Sequence, residues 1–164
     1  MQFTPSDKDL FLRPISGEDM SVLQVIYGST RAQEMDRLVD WTEEMKQSFV
    51  AQQFLAQHQY YQQNYKGADF WIIENNKTPI GRLYVHSNFQ GKEIRIVDIS
   101  ILPAFRGKGI GGRLLEDLQQ VAKALDRPLS IHVEVFNPAR NLYTRMGFKM
   151  ISETNGVYHL MQWN

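Results

Sequence analysis

Four glycines occupy the six positions from Gly107 to Gly112, between an apolar stretch and a segment with helical periodicity. Glycine adopts left-handed backbone angles without a steric penalty, so this run lets the chain turn tightly while consecutive N–H groups face an anion. The first turn of the following helix adds unpaired N–H groups and a positive dipole end. Arg106 and Lys108 supply full positive charges. The run therefore predicts a strand, an anion-binding turn and a helix, with a nucleotide-bearing cofactor as the ligand.

Two other glycine-rich phosphate sites fit this run less well. Gly107, Gly109 and Gly112 satisfy the G-x-G-x-x-G fingerprint of dinucleotide-binding folds. In those folds the first glycine directly follows the strand, whereas residues 103–106 intervene here, and Asp126 ends the predicted helix instead of following a second strand. The Gly-Lys-Ser/Thr triplet of a P-loop is absent. A turn that only connects a strand to a helix remains as the structural alternative.

The chain after this helix adds a second pattern. Residues 129–136 alternate as in a strand, Asn137-Pro138 ends that strand, and Leu142-Tyr143 lies in a short helical segment before Gly147-Phe148. These motifs follow the strand end at residues 99–103 and the glycine run. The whole series, in this order, resembles the motifs of the GCN5-related N-acetyltransferases. The resemblance covers residues 94–148 strongly and the earlier chain only by layout.

The resemblance implies an α/β (α+β) fold. Its central sheet would be mixed, mostly antiparallel and of about six to seven strands, with about four flanking helices and splayed central strands. It also implies acetyl-CoA as the acyl donor, with the glycine run on the pyrophosphate and a strand backbone pairing with the pantetheine arm. The residues expected to contact this cosubstrate are Ile99, Ser100, Ile101, Arg106, Gly107, Lys108, Gly109, Ile110, Gly111, Gly112, Asn137 and Tyr143.

The expected reaction is direct transfer of the acetyl group to an amine acceptor in a ternary complex. Tyr143 is the candidate general acid for the leaving sulfur, with a packed structural aromatic as the alternative. A backbone N–H near Ile99 or Ile101 would polarise the thioester carbonyl. Glu134 is the leading candidate base, and Asp98 is the second because burial favours its protonation. Asp98 is equally interpreted as a structural acid that is capped by the backbone or paired with an arginine.

Further proton routes stay open at this stage. His132 and His159 are candidate relays, although a single histidine in a strand is usually structural. A water chain to bulk solvent is the remaining route. The four histidines lack metal-ligand spacing, so no metal is expected.

The first half of the chain is predicted to supply the scaffold and one wall of the acceptor site. Residues 10–14 read as a strand, residues 22–26 and 41–65 as helices, and residues 70–85 as a hairpin. A wall for the acceptor would come from the Gln- and Tyr-rich part of the second helix, although aromatics at this spacing are more often core. Arg31 and Glu34 would pair with a charged acceptor or with each other. The candidate wall residues are Gln53, Gln57, Tyr60 and Tyr61.

Composition narrows the class of protein. A chain of 164 residues with 43% hydrophobic content is expected to be one domain, residues 1–164. Its 18 basic and 18 acidic residues balance, which argues against nucleic-acid or membrane partners. The absence of cysteine excludes disulfides and a cysteine acyl-enzyme. Without a charged leader or a long apolar run, a cytoplasmic monomer or homodimer is expected.

Two alternatives to the enzyme remain. One is a non-catalytic acyl-CoA-binding or sensing domain of the same fold. The other is a nicotinamide-linked oxidoreductase, which would respond to NAD and not to CoA. The sequence does not choose among peptide N-termini, lysines and small-molecule amines as acceptors, nor between acetyl and longer acyl groups.

Overall fold

The computed structural model describes residues 1–164 and contains one seven-stranded sheet with five α-helices. The strands are β1 (Leu10–Pro14), β2 (Asp69–Asn75), β3 (Thr78–Phe89), β4 (Glu93–Ile101), β5 (Leu129–Glu134), β6 (Lys149–Thr154) and β7 (Tyr158–Trp163). The helices are α1 (Met20–Thr30), α2 (Ala32–Asp36), α3 (Glu43–Asn64), α4 (Ile110–Ala124) and α5 (Ala139–Arg145).

The sheet is mixed and mostly antiparallel, as predicted. Its strand order is β1-β2-β3-β4-β5-β7-β6, and β4 with β5 is the parallel pair. The helix count exceeds the expected four because the short α2 follows α1 after a single residue, Arg31. No helix is long and apolar enough to cross a membrane.

Local turn chemistry explains why several predicted elements are confirmed. Asn155 and Gly156 both have positive φ, at 53° and 66°, which is the backbone of the tight turn that joins β6 to β7. Gly147 has a φ of 94° directly after α5, where a helix commonly ends on a left-handed glycine. The strand predicted over residues 129–136 ends earlier, at Glu134, because the Asn137 N–H donates to the Glu134 carbonyl at 3.0 Å and closes a turn.

Each face of the sheet carries its own hydrophobic core. Helices α4 and α5 cover one face, where Leu114, Leu118 and Tyr143 pack on Ile94 and Ile96. Helices α1 and α3 cover the other face at β2, β3 and β4. Their packed residues are Leu23, Ile26, Tyr27, Phe54, Ile72, Tyr84 and Val97. The result is a three-layer arrangement with the middle of the sheet buried on both sides.

The two central strands separate, as the resemblance implied. Strands β4 and β5 pair only from Ile94–Leu129 to Ile96–Ile131, and their continuations do not bond to each other. The separation begins at a bulge, since Tyr84 opposes Asp98 while Val85 opposes Ile96, which leaves Val97 as the extra residue. A bulge bends its strand and breaks the ladder. We call the space between Val97–Ile101 and His132–Glu134 the central cleft.

Candidate active site

The glycine run forms an unsatisfied turn at the end of the central cleft. Gly107 and Gly109 have φ values of 74° and 80°, and Gly109 is the residue that immediately precedes α4. The first helical main-chain bond in this region is from Arg113 N–H to the Gly109 carbonyl. None of the six N–H groups of residues 107–112 donates a hydrogen bond within the protein. They form a row of free donors at a positive helix end, as anion binding requires.

Two cations lie beside this row, and neither pairs with a carboxylate. The Lys108 ammonium lies 5.5 Å from the centre of the Phe105 ring. Arg106 folds back towards the sheet, where its Nε donates to the Ile101 carbonyl at 2.7 Å and its Nη2 to Ser29 Oγ at 3.3 Å. Arg106 therefore already bonds a carbonyl that the resemblance assigns to the pantetheine arm, while its Nη1 makes no hydrogen bond within the protein.

The backbone of β4 offers hydrogen-bonding groups to the central cleft. Leu102 N–H donates to the Ile80 carbonyl of β3 at 2.7 Å. Because main-chain groups alternate in direction along an antiparallel strand, Ile99 and Ile101 direct theirs away from β3, towards the cleft. The Ile99 and Ile101 side chains pack against the core on the α4 face. This is the exposed internal edge that the sequence predicted.

Asp98 lies on the opposite face, in a network that sequence reasoning missed. Its carboxylate accepts hydrogen bonds from Arg82 Nη2 at 2.9 Å and Nε at 3.2 Å. Tyr61 Oη and Ser100 Oγ donate at 3.0 Å and 2.7 Å. Four donors on two oxygens favour the structural interpretation of Asp98 over a role as the base. The hydrogen bond from Ser100 Oγ turns the Ser100 hydroxyl towards Asp98.

Arg82 is the centre of this network and is 1% exposed. Its Nη2 also donates to Gln57 Oε1 at 2.6 Å, and its guanidinium lies 5.1 Å from the Tyr84 ring centre. Burial and the Asp98 charge raise the pKa of Tyr61, which keeps its hydroxyl protonated. No local pattern marks an arginine in an apolar strand as buried. The nearest signal was the prediction that an arginine would pair with Asp98.

The predicted acceptor wall divides into three groups. Gln57 and Tyr61 belong to the buried network, while Tyr60 is exposed and stacks beside Tyr61 at 6.2 Å between ring centres. Gln53 lines a cavity with Arg31, at the junction of α1, α2 and α3. The structure therefore brings only part of the predicted wall to an open site.

Tyr143 projects from α5 into the core and is 4% exposed. Its ring lies 5.9 Å from that of Phe148, and its hydroxyl makes no hydrogen bond within the protein. Burial, and then the Asp98 charge, raise the pKa of Tyr143 well above its ordinary value. The phenol is therefore protonated at neutral pH and free to donate, which are the properties a general acid requires.

Asn137 has a local structural role. Its Oδ1 accepts a hydrogen bond from the Ala139 N–H at 2.9 Å at the start of α5. An asparagine oxygen in this position satisfies a donor that the helix leaves unpaired. Its amide nitrogen makes no hydrogen bond within the protein and is the group left for a cofactor.

Glu134 lies at the end of β5 and is engaged by Arg31. The Arg31 Nη2 and Nη1 atoms donate to its two oxygens at 3.0 Å and 3.4 Å. Arg31 also donates to Glu34 at 3.0 Å and to the Tyr27 hydroxyl at 3.3 Å. The base proposed from sequence is thus held by a guanidinium, while each of its oxygens keeps a further lone pair.

The two strand histidines differ in environment. His132 lies at the surface, on the same sheet face as Glu134. Partial burial of its ring, and then the positive charge of Arg95, lower the pKa of His132. His159 is buried, 3.4 Å from Glu153. No group of three or more His, Cys, Asp or Glu side chains is placed to hold a metal ion.

Comparison with known families gives an independent match. The family model described as Acetyltransferase (GNAT) family matches residues 35–148. The uncharacterized N-acetyltransferase YycN of Bacillus subtilis (strain 168) is 35% identical over 84 residues, which are 48% of this chain and 54% of that protein. This chain therefore aligns with about half the length of that curated relative.

Solved structures share the fold across most of the chain. PaiA N-acetyltransferase from Thermoplasma acidophilum, crystallised in complex with coenzyme A, matches with a TM-score of 0.65 and 19% identity, over 93% of this chain and 97% of that one. An acetyltransferase from Thermus thermophilus matches with a TM-score of 0.66 and 18% identity, over 94% and 96%. At these identities the likeness concerns the fold.

Proposed function

This chain belongs to the acetyltransferase (GNAT) family, and on that premise we propose that it transfers the acetyl group of acetyl-CoA directly to an amine acceptor in a ternary complex. Residues 1–164 would form one acetyltransferase domain, which the single continuous sheet supports. The proposed acceptor is a primary amine, carried by a peptide N-terminus, a lysine side chain or a small molecule.

One observation carries the proposal. Six consecutive free N–H groups, from residues 107 to 112, lie where a strand bordering the central cleft runs into α4. A diphosphate on these donors and on Lys108 would place an attached flexible arm along β4, where Ile99 and Ile101 offer main-chain groups. A solved structure of the same fold was crystallised with coenzyme A, which supports CoA as the diphosphate-bearing ligand.

The reaction needs three contributions from the chain. The N–H of Ile99 or Ile101 would donate to the thioester oxygen as negative charge develops there. The acceptor nitrogen bonds to the carbonyl carbon, the carbon–sulfur bond breaks, and the sulfur takes the Tyr143 proton. The amine loses one proton, which returns through the solvent or a basic group to the tyrosinate. The products are an amide and free CoA thiol.

The proton acceptor is assigned by position. Glu134 is our candidate because it ends the strand on the far side of the cleft from β4. It would act through the lone pairs that the two Arg31 hydrogen bonds leave free on its carboxylate. Asp98, with four donors on its carboxylate, would act instead by holding the β4 backbone that follows the bulge.

The proposal is tested by substituting Tyr143. Thiol release from acetyl-CoA is followed with a panel of primary amines, and acetyl-CoA binding is measured separately by calorimetry. Tyr143→Phe should lower kcat by about 100-fold or more, since loss of a general acid costs on the order of 10²- to 10⁴-fold. Its acetyl-CoA affinity should stay nearly unchanged because the ring and its packing are retained.

Tyr158→Phe is the matched control, because Tyr158 is an exposed phenol on β7. It should behave as wild type in both assays. Equal thiol release from wild type and Tyr143→Phe would remove Tyr143 from the mechanism. Acetyl-CoA binding without thiol release for any amine would instead support the sensing domain.

A further inference from the structure

A cavity of about 120 Å³ lies where α1, α2 and α3 meet. Tyr27, Phe49 and Val50 supply its apolar wall, and Arg31 and Glu34 supply its polar rim. It lies outside the glycine turn and the β4 edge, so the proposed cosubstrate contacts leave it free.

Arg31 connects this cavity to the central cleft. It lines the cavity and also donates to both oxygens of Glu134, 103 residues away at the end of β5. Arg31 is therefore shared between the cavity and the Glu134 end of the cleft. This position suits an acceptor whose amine reaches Glu134 while another group fills the cavity.

The charges at the rim favour a cation over an anion. Arg31 is already paired with two carboxylates, Glu34 at 3.0 Å and Glu134 at 3.0 Å, and Tyr27 occupies its Nε. One guanidinium between two carboxylates leaves a net charge of −1. An acceptor carboxylate would find no free cation here and would face the excess negative charge.

The size of the cavity limits the group that enters it. An apolar cavity of about 150 Å³ accommodates a benzene molecule. A cavity of about 120 Å³ therefore fits a branched group of about four carbons. Because the lining combines aromatic and aliphatic side chains with the charged Arg31–Glu34 pair, the apolar group would contact the former and the ammonium would lie beside Glu34.

We infer that the acceptor is a primary ammonium compound that carries one small apolar group and no carboxylate next to the amine. This inference rests on the proposed acetyltransferase function and adds the chemical class of its acceptor. Glu34 and the Tyr27, Phe49 and Val50 wall are the specificity determinants. The class includes an amino-acid amide or the first residue of a peptide, and excludes free amino acids.

The probes are L-leucinamide and L-leucine, which share the side chain and differ in the carboxylate. Because that carboxylate also raises the pKa of the leucine amine, kcat/KM is expressed per unprotonated amine for both probes. Thiol release from acetyl-CoA should give leucinamide a kcat/KM at least about 10-fold above that of leucine, as a unit charge repelled in a partly screened site implies. Equal values, or preference for leucine, would overturn the inference.

Variants separate the charge from the cavity. Glu34→Gln should raise the KM for leucinamide by about 3- to 10-fold, the effect of one charge at about 6 Å in a medium between protein surface and water. The KM for acetyl-CoA should not change. Val50→Phe should fill the cavity and raise the leucinamide KM further. Glu44→Gln is the control, since Glu44 is exposed in the first turn of α3 and outside the cavity.

The outcomes distinguish this inference from the proposed function. If other amines are acetylated while leucinamide is not, or if Glu34→Gln behaves like Glu44→Gln, the acceptor class is wrong and the acetyltransferase stands. If acetyl-CoA neither binds nor releases thiol with any amine, the proposed function itself fails.

Discussion

Replacing Arg82 with methionine tests the network that holds β4 beside the central cleft. Methionine keeps the length and apolar character of the arginine stem and removes only the guanidinium. Asp98 then loses two of its four donors and keeps Tyr61 and Ser100. Its charge stays in a site where the Asp98 side chain is only 13% exposed. We expect Arg82→Met to destabilise the fold strongly.

The magnitude follows from the burial of the pair. Removing one partner of a buried ion pair costs about 3 to 5 kcal/mol, because the remaining charge is left without compensation. For a domain of this size, each kcal/mol lowers the unfolding midpoint by about 2 to 4 °C. Arg82→Met should therefore lower the midpoint by about 6 to 20 °C. The bond from Arg82 to Gln57 at 2.6 Å places the expected loss in the upper part of this range.

The assay is thermal and urea unfolding followed by circular dichroism, for wild type, Arg82→Met, Asp98→Asn and the double variant. The double variant should lose clearly less than the sum of the single losses, with a coupling of about 0.5 to 3 kcal/mol. Arg37→Met is the control, because Arg37 is exposed and unpaired. A loss for Arg82→Met as small as that of the control, or strict additivity, would refute the reasoning.

Three further predictions concern the glycines, and a fourth concerns one histidine. Gly111→Ala should raise stability by about 0.5 to 1 kcal/mol, since it lies inside α4 with open space around it, yet weaken acetyl-CoA binding in calorimetry. Gly109→Ala should instead cost about 1 to 2 kcal/mol in urea unfolding because of its positive φ. Gly81→Ala should cost about 1 to 3 kcal/mol, since its Cβ would collide with the Ser100 carbonyl. Burial and the Arg82 charge lower the pKa of His58 below its ordinary value of 6.5. Its contribution to stability is therefore complete above pH 6.5 and declines as the pH falls from there through the lowered pKa of the folded state. His58→Gln should make the free energy of unfolding, measured in urea, depend less on pH between about pH 7 and 5.

Features set by short-range chemistry were predictable from the sequence. Asn155-Gly156 requires two left-handed residues in a tight turn, and the glycine run requires them before α4, so both positions followed from residue type alone. The order of elements through α5 followed from periodicity and from turn residues. The separation of β4 from β5 came from the family resemblance, because the stretch Ile96-Val97-Asp98 contains no residue that signals a bulge.

Features set by long-range contacts were not predictable. Arg82 meets Asp98 through the pairing of β3 with β4, and Arg31 meets Glu134 across 103 positions. Either arginine would be expected at the surface from its residue type. The roles of Asp98 and Glu134 depend on these partners, which explains why the sequence named both carboxylates as candidates while leaving their chemistry open.

The most direct test of the central claim is thermal unfolding with acetyl-CoA, CoA and NAD at equal concentrations. A ligand at about 100 times its dissociation constant stabilises the folded protein by about 2.7 kcal/mol. For a domain of this size the midpoint should rise by about 5 to 10 °C with both CoA species and stay unchanged with NAD. An unchanged midpoint with acetyl-CoA and CoA would contradict the claim that residues 107–112 and β4 form a CoA site.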